Sequence, residues 1–359
     1  MARIAAVATA LPTNVYNQLH IHDAIVPMIT TDEKKLALIR RLHAASTVAT
    51  RHLARPIERY REPATFATTN DLFIQIGTEL CERALRDALA QAGREPNEVD
   101  FIVFNSITGI AAPSIDALLV ARLGLRPDIK RVPIFGLGCV AGAAGIARVR
   151  DYLRGHPNDI AVLVTVELCS LTFQREDDST ANMVATGLFG DGAAAVVMVG
   201  LERAASENVI GPDVIDTQSQ LYPDTQEVLG FNATETGFRI VLTAQVAEVI
   251  EQNFGVDAAA FLMRNGLSLA DIDTWIAHPG GPKVLESFQA ALGLPERSFD
   301  NSWRSLAAVG NMSSVSVLHI LESELAATAG PRTALLFALG PGVSAELVLL
   351  RWAAAEVHS

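Results

Sequence analysis

Two segments of this chain repeat one pattern, and that repeat limits the folds open to it. Residues 88–109 read ALAQAGREPNEVDFIVFNSITG, and residues 260–281 read AFLMRNGLSLADIDTWIAHPGG. Each contains a helix end, a glycine, a short polar link with an acidic residue, and an apolar strand that ends in a polar turn. We therefore predict two similar halves, about 1–205 and 206–359.

A second repeat closes each half. LFGDGAAAVVMVG at 188–200 corresponds to FALGPGVSAELVLLRW at 337–352, with a glycine-rich turn followed by an apolar strand. Both halves alternate apolar strands with helices, as in AGIARVRDYLRG followed by DIAVLVTVELCS. This alternation is typical of an α/β fold whose strands are buried on both faces. Since no low-complexity linker separates the halves, we expect them to pack as one body.

The composition argues against several classes of protein. The net charge of −12 disfavours general nucleic-acid binding. No apolar run approaches the roughly 20 residues that cross a bilayer, and RIAAVATALP predicts a first buried strand rather than a cleavable signal. The 3 scattered cysteines fit neither a disulfide framework nor a metal site. We expect a cytoplasmic protein that has no metal ion and no stable membrane insertion.

Three polar residues lie where apolar segments end, and ligands of α/β sheets bind beyond the carboxyl ends of strands. Cys139 in IFGLGCVAGAAGI precedes a predicted helix, whose N-terminus favours a thiolate. His278 ends the strand in DTWIAHPGGP, and Asn311 lies in AAVGNMSSVSVLHIL ahead of an apolar helix. Cys139 and Asn311 also have simpler interpretations, since a cysteine in apolar company is usually core and an asparagine often caps a helix or forms a turn.

Several motifs resemble those of the type III polyketide synthases, the chalcone-synthase-like enzymes. They are GLGCVAGAAG, LFGDGAAAVV, WIAHPGGPKVL, VGNMSSVSVL and LGPGVSAELVLL. The matches run in the family's order over nearly the whole chain, from about residue 35 to 352. The resemblance implies the thiolase fold, a duplicated αβαβα body of five layers, and a homodimer. HPGGP followed by GNMSS separates this group from ketoacyl-acyl-carrier-protein synthase III, the related alternative.

The resemblance also implies residue roles. Cys139 is the expected nucleophile, and His278 and Asn311 complete the catalytic triad. Phe189 and Phe238 match the two phenylalanines that separate the coenzyme A tunnel from the cavity. The other positions expected to line the cavity are Ile107, Ala112, Cys169, Thr172 and Ser313.

Coenzyme A contacts are the point where this chain departs from the family pattern. The stretch from Lys34 to Arg61 has eight basic residues and a single acidic one, so it could receive phosphates. The family has three basic positions here, whereas this chain has Leu38, Arg41 and Ala45. We therefore expect Arg41 and its neighbour Arg40 to contact coenzyme A.

The expected reaction starts with a Cys139 thiolate, held by His278 and the helix N-terminus, that accepts an acyl group from an acyl-CoA. His278 and Asn311 then donate hydrogen bonds to the thioester oxygen of malonyl-CoA as it decarboxylates, and the resulting carbanion extends the chain. Coenzyme A thioesters are the expected substrates, and no separate cofactor is needed. A cysteine hydrolase with the same three residues, or a non-catalytic acyl-binding protein, are the alternatives from other classes.

The sequence constrains the product less than it constrains the reaction. The plant pattern has a methionine that reaches across the dimer where this chain has Ala112, and the smaller residue leaves room for a fatty acyl starter. Tetrahydroxynaphthalene synthases have a cysteine at the position of Ser106 and an alanine at that of Pro279, so both departures argue against that product. We expect an alkylresorcinol or an alkylpyrone made from a fatty acyl starter.

Overall fold

Strands at the centre of the molecule are covered on both faces because they are apolar at nearly every position. The computed structural model of the protein describes residues 1–327 and 330–353. Along Ile160–Leu168 the even-numbered residues pack into one hydrophobic cluster, and Ala161 and Leu163 pack into another on the opposite face. This alternation follows from the two-residue period of a strand and confirms the α/β pattern predicted from the sequence.

Within the described residues the elements follow each other in a regular order. The strands are β1 (Ala2–Ala10), β2 (Asn14–Asn17), β3 (Thr50–Leu53), β4 (Val99–Asn105), β5 (Lys130–Ile134), β6 (Ile160–Leu168), β7 (Asp191–Gly200), β8 (Asp213–Leu221), β9 (Leu229–Thr234), β10 (Gly237–Leu242), β11 (Thr274–Ala277), β12 (Arg332–Gly340) and β13 (Ser344–Trp352). The helices are α1 (Gln18–Ile25), α2 (Glu33–Ala45), α3 (Phe66–Gln91), α4 (Ile115–Leu123), α5 (Ala141–Gly155), α6 (Thr180–Leu188), α7 (Leu201–Ser206), α8 (Gln245–Val249), α9 (Gly255–Arg264), α10 (Pro282–Leu292), α11 (Asp300–Val309) and α12 (Ser314–Ala326).

One large sheet joins the two halves of the chain. Its 9 strands lie in the order β11-β12-β13-β8-β1-β7-β6-β4-β5. β4 runs parallel to β5 and β6, and β11 runs parallel to β12, while the other neighbours are antiparallel. β1 meets β8 only through the pairs Ala2–Val214 and Arg3–Asp213. The sheet is therefore two half-sheets that touch at one short seam.

Helices α5 and α12 lie between the two half-sheets. Their apolar residues share one hydrophobic cluster with the inner faces of β6 and β7 from one half and of β12 and β13 from the other. Helices α3 and α4 cover the outer face of the first half-sheet, and α9, α10 and α11 cover the outer face of the second. The order helix, sheet, helix, sheet, helix confirms the five-layered αβαβα architecture of the thiolase fold.

The predicted internal repeat is present in the backbone. Gly93 after α3 and Gly266 after α9 both have a left-handed φ, of 62° and 71°, which glycine adopts without a steric penalty. A 3₁₀ turn with a capping box follows each glycine, at Pro96–Glu98 and at Leu269–Asp271. β4 and β11 come next, so the two segments have the same local structure.

The predicted boundary at residue 205 lies within α7, the short helix that connects β7 to β8. Since both halves contribute to the large sheet and to the middle helical layer, they pack as one body, as expected. The boundary itself stays a prediction. Helices that combine the length and the apolar character needed to cross a membrane are absent from residues 1–327 and 330–353.

Candidate active site

Cys139 occupies a 3₁₀ turn, Gly138–Val140, directly before α5. Gly138 has a φ of 57°, and a Cβ atom there would lie 2.7 Å from Cδ of Pro341 and 3.3 Å from Cδ1 of Ile107. Both the left-handed backbone and the close approach of two neighbours require glycine at this position. The glycine before Cys139 therefore brings the thiol to the junction of the two halves.

His278 immediately follows β11 and is 2% exposed. Its backbone N–H donates to the carbonyl of Phe337 over 2.9 Å, which places it at the end of the strand as predicted. Neither Nδ1 nor Nε2 has a hydrogen-bond partner among the described residues. Burial lowers the pKa of His278 to about 3, so the imidazole is neutral at neutral pH.

Asn311 lies in the connection between α11 and α12 and is 1% exposed. Its Oδ1 accepts a hydrogen bond from the backbone N–H of Ser313 over 2.8 Å. Its Nδ2 donates to the carbonyl of Gly280 over a longer distance of 3.3 Å, just beyond His278 in the chain. The amide orientation is thus set by its oxygen, and its N–H donors are directed to the side of His278.

Burial has the opposite effect on the Cys139 thiol from the one expected. It raises the pKa of Cys139 to about 12, the carboxyl of Glu167 raises it further, and hydrogen bonds from Ser313 and Asn311 oppose the rise. Desolvation is the largest cause of this rise, and together with a neutral His278 it favours a resting thiol over the thiolate that we predicted from the helix N-terminus.

Glu167 is a buried acidic residue that the sequence analysis missed. It is 0% exposed, near the end of β6. Its carboxyl accepts hydrogen bonds from Thr108 Oγ1 at 2.9 Å, from the Ile107 N–H at 3.2 Å and from Ser314 Oγ at 2.7 Å. It thereby ties the turn after β4 to the start of α12 beside Cys139. The signal that could have found it is a lone acid inside the apolar run IAVLVTVEL.

A cavity with an empty volume of about 750 Å³, its open mouth included, lies next to these residues. Six of the seven positions predicted to line it do so, namely Ile107, Cys169, Thr172, Phe189, Phe238 and Ser313. The rest of the wall was not predicted from the sequence. It is formed by α1, β3, the turn Ile57–Arg61, α6 and the β9–β10 hairpin, and it includes Ile21, Ile25, Leu53, Tyr60, Asn182, Ala185, Phe231 and Ile240. Those residues come from distant parts of the chain, and most of them show no motif.

Ala112 is the predicted lining residue that the cavity does not include. It is exposed and precedes Pro113 in the loop between β4 and α4, close in sequence to the exposed Ile110. Ala112 therefore lies outside the lining of this protomer's own cavity, and since the family's residue at this position reaches across the dimer, its role stays a prediction.

Basic residues predicted to receive phosphates are divided between surface and interior. Arg40 and Arg41 are exposed on α2. Arg51, in contrast, is 3% exposed, and its guanidinium donates to the carbonyl of Phe189 over 2.8 Å and to Gln18 Oε1 over 3.0 Å. The stretch from Lys34 to Arg61 is therefore not one phosphate-binding face, although Arg40 and Arg41 remain available for that role.

The part of the chain that the structure describes contains no group of at least 3 His, Cys, Asp or Glu side chains that could hold a metal ion. All 3 cysteines are free. The polar side chains that line the cavity carry a thiol, carboxamides, hydroxyls and a guanidinium. Cys139, His278 and Asn311 are not among its lining residues, although Ser313, whose N–H donates to Asn311, is.

Comparison with known proteins identifies similar chains over almost the full length. The models for the N-terminal and C-terminal domains of chalcone and stilbene synthases match residues 1–202 and 213–354. A 1,3,6,8-tetrahydroxynaphthalene synthase from Streptomyces peucetius subsp. caesius is 50% identical over 352 residues, which cover 97% of this chain and 93% of that one. The alpha-pyrone synthesis polyketide synthase-like Pks18 of Mycobacterium tuberculosis is 32% identical over 359 residues, covering 97% and 91%.

The fold comparison agrees. The crystal structure of 1,3,6,8-tetrahydroxynaphthalene synthase from Streptomyces coelicolor A3(2), a bacterial type III polyketide synthase, superimposes with a TM-score of 0.92 at 29% identity. The match covers 99% of this chain and 100% of that one. A second structure, PKS-I from the brown alga Ectocarpus siliculosus, gives a TM-score of 0.89 at 26% identity and covers 98% of each chain.

Proposed function

The chain belongs to the chalcone and stilbene synthases, the type III polyketide synthases, and is therefore an acyltransferase-type condensing enzyme; we propose that Cys139, His278 and Asn311 carry its chemistry. The observation that carries this proposal is His278, an imidazole 2% exposed whose two ring nitrogens have no partner among the described residues. Buried polar atoms are almost always paired, so an unpaired buried imidazole beside a carboxamide points to a bound ligand.

The first step loads the starter. The neutral imidazole of His278 accepts the proton of the Cys139 thiol as the sulfur attacks the thioester carbonyl of the incoming acyl-CoA. The bond between the carbonyl carbon and the coenzyme A sulfur breaks, and coenzyme A leaves with a proton. Because burial makes the free thiolate costly, proton transfer coincides with attack rather than preceding it.

The second step makes the extending nucleophile. Malonyl-CoA loses CO₂, and the electron pair of the broken C–C bond moves onto the thioester oxygen as an enolate. N–H donors of His278 and Asn311 stabilise that oxygen, and the asparagine has no acidic proton that would quench the enolate. The enolate carbon attacks the acyl group on Cys139, the sulfur leaves as thiolate, and the chain is two carbons longer.

Malonyl-CoA is the proposed source of both starter and extender units. The 50% identical relative is a 1,3,6,8-tetrahydroxynaphthalene synthase, and every carbon of such a hydroxylated ring system can come from two-carbon keto units. Ser106 and Pro279, which we took as evidence against that product, are outweighed by similarity over 97% of the chain. A fatty acyl starter giving an alkylresorcinol or alkylpyrone is the second candidate, because the cavity wall is largely apolar.

A homodimer is the proposed assembly, with β5 at its interface. β5 is the last strand of the sheet, so one of its edges is unpaired, and Val132 and Phe135 are 42% and 55% exposed beside it. Exposed edges with apolar side chains are usually covered by another chain.

Arg40 and Arg41 are the proposed contacts for coenzyme A phosphates. The cytoplasmic location stays a prediction.

The test is an assay of the purified enzyme with ¹⁴C-malonyl-CoA alone and with a panel of acyl-CoA starters, with products identified by mass spectrometry. We expect Cys139→Ala to abolish acyl loading, and His278→Ala to abolish CO₂ release. Cys81→Ala, the loss of a cysteine inside α3, is the matched control and should retain activity. Product formation by Cys139→Ala at the wild-type rate would overturn the assignment. Product that requires a long acyl-CoA would favour the second candidate.

A further inference from the structure

Three polar side chains link the interior of the first half to the cavity wall. Asp191, at the start of β7, is 0% exposed, and its carboxyl accepts hydrogen bonds from Ser170 Oγ and from the Ser170 N–H, the latter over 2.8 Å. The hydroxyls of Ser170 and Tyr60 lie 2.5 Å apart. Ser170 and Tyr60 both line the cavity that Phe189 and Phe238 also line. The reaction described above does not use any of these three side chains.

The direction of these hydrogen bonds follows from the protons available. An ionised carboxyl can only accept, so the single hydroxyl proton of Ser170 is committed to Asp191. The Tyr60 hydroxyl already accepts from the Arg55 N–H over 3.2 Å, and it donates its own proton to Ser170. Ser170 Oγ is then left with one lone pair and with no proton to offer the cavity.

We propose that Ser170 is a specificity-determining residue, which accepts a hydrogen bond from an enol hydroxyl of the growing poly-β-keto chain, and that Asp191 is the positioning residue behind it. The inference rests on the proposed function, because that reaction produces β-diketone units, which readily form enols. An enol held at Ser170 fixes which carbonyl carbon lies near which nucleophilic carbon. The contact therefore selects among ring closures without taking part in chain extension.

Protonation of Asp191 would reverse the polarity of this contact. Burial raises the pKa of Asp191 to about 6, although hydrogen bonds from Ser170 and Ala54 and the charge of Arg51 oppose the rise. Above that pH the carboxylate takes the Ser170 proton. Below it, the carboxylic acid can donate to Ser170, which frees the Ser170 hydroxyl to donate into the cavity, where it favours a carbonyl over an enol.

Other groups around Asp191 do not titrate in the same range. Burial lowers the pKa of Arg51 only to about 10, and it raises the pKa of Tyr60 and Cys169 above their ordinary values. The guanidinium of Arg55 adds a positive charge on the Tyr60 side. Burial also raises the pKa of Glu167, whose carboxyl is bonded by Thr108, Ile107 and Ser314 rather than by Ser170.

The experiment compares wild type with Ser170→Ala and Tyr60→Phe in malonyl-CoA consumption and in product ratio between about pH 5 and pH 8. We expect both variants to consume malonyl-CoA within about threefold of the wild-type rate, but to change the ratio of cyclised products by roughly tenfold. The wild-type ratio should change near pH 6, and the Ser170→Ala ratio should not. Ser323→Ala, on the exposed side of α12, is the control and should retain the wild-type ratio.

Each other outcome has a definite meaning. Wild-type product ratios in both variants at every pH would overturn the role of Ser170 while leaving the proposed function intact. A wild type that releases no CO₂ from malonyl-CoA would overturn the proposed function and this inference with it. If Ser170→Ala does not fold, Tyr60→Phe decides alone, since it keeps the ring and removes the hydroxyl that donates to Ser170 and accepts from the Arg55 N–H.

Discussion

Phe189 and Asn311 pair as an isolated parallel β-bridge between the two halves of the chain. The Asn311 N–H donates to the carbonyl of Leu188 over 2.9 Å, and the Gly190 N–H donates to the carbonyl of Asn311 over 2.9 Å. Arg51 holds the carbonyl of Phe189 from the other side. The backbone therefore fixes Phe189, a cavity-wall residue of one half, to Asn311, a candidate catalytic residue of the other. The Asn311 Nδ2, which has one long bond to the Gly280 carbonyl, can also donate to a ligand.

Replacement of Asn311 by Asp should remove the N–H donor to the substrate without disturbing the β-bridge to Phe189. The aspartate can still accept from the Ser313 N–H, as the asparagine does. It offers no N–H donor, however, and its negative charge repels the enolate oxygen. We expect the rate of malonyl-CoA decarboxylation to fall by about 10²–10³-fold, the usual cost of losing one such donor. Release of ¹⁴CO₂ measures it, and a rate within threefold of wild type would contradict the proposed role.

The reactivity of Cys139 should depend on His278. Because burial and the charge of Glu167 raise the pKa of Cys139 to about 12, the thiol has little thiolate at neutral pH unless His278 accepts its proton. We expect His278→Gln to slow alkylation by iodoacetamide at pH 7, with a rate that then rises about tenfold per pH unit as the thiolate fraction grows. Mass spectrometry of the labelled peptide gives the rate. Equal labelling of variant and wild type at pH 7 would show that His278 does not take the proton.

Burial of His43 should make the folded protein less stable in acid. His43 is 3% exposed on α2, its Nδ1 is 3.0 Å from Nδ1 of His22, and burial lowers its pKa to about 3. Below about pH 6.5, the ordinary pKa of histidine, the unfolded chain binds a proton at His43 that the folded protein does not bind. The free energy of unfolding therefore falls by up to about 1.4 kcal/mol for each unit that the pH is lowered. His278 acts in the same direction, whereas the raised pKa of Asp191 acts in the opposite one.

The measurement is urea unfolding of wild type and His43→Gln between about pH 4 and pH 7. The variant should be less stable at neutral pH, since it loses the hydrogen bond to His22, but its free energy of unfolding should fall less steeply below pH 6.5. His20→Gln, at an exposed position of α1, serves as the surface control. Parallel curves for wild type and His43→Gln would rule out the buried neutral imidazole.

Local sequence pattern was enough to predict the parts of this fold that depend on neighbours along the chain. The glycine, polar link and strand of each repeat form at 88–109 and at 260–281 because turn chemistry and strand period are local properties. The motifs around Cys139, His278 and Asn311 located the candidate site in the same way. His278 directly follows β11, as predicted for a ligand-binding strand end, whereas Asn311 lies between two helices.

Other features depend on partners far away in sequence, and the sequence does not reveal them. Glu167 is bonded by Ile107, 60 residues away, and by Ser314, 147 residues away. Arg51 is the same residue type as Arg41, yet it is buried because Gln18 and the carbonyl of Phe189 satisfy its guanidinium. Burial of a charged side chain is decided by such tertiary partners rather than by local composition.

A substitution at Gly142 tests whether the close packing of α5 against α12 positions the Cys139 thiol. A Cβ atom at Gly142 in α5 would lie 2.2 Å from the backbone oxygen of Ser314 and 2.8 Å from Cγ1 of Val317, and the backbone oxygen cannot move unless α12 moves. We expect Gly142→Ala to lower the free energy of unfolding by about 1–3 kcal/mol, the range for overpacking a core. It should also lower the condensation rate, since Ser313 and Asn311 lie just before α12.

Gly155 is the matched control in the same helix. A Cβ atom there meets no atom within 4 Å, so Gly155→Ala adds the same methyl group without a clash. Because alanine favours a helix over glycine by up to about 1 kcal/mol, this variant should be as stable as wild type or slightly more stable, with unchanged activity. Urea unfolding and malonyl-CoA turnover of the two variants give the comparison. Equal stability of Gly142→Ala and Gly155→Ala would mean that α5 and α12 can separate without cost, and that their contact does not hold Cys139 in place.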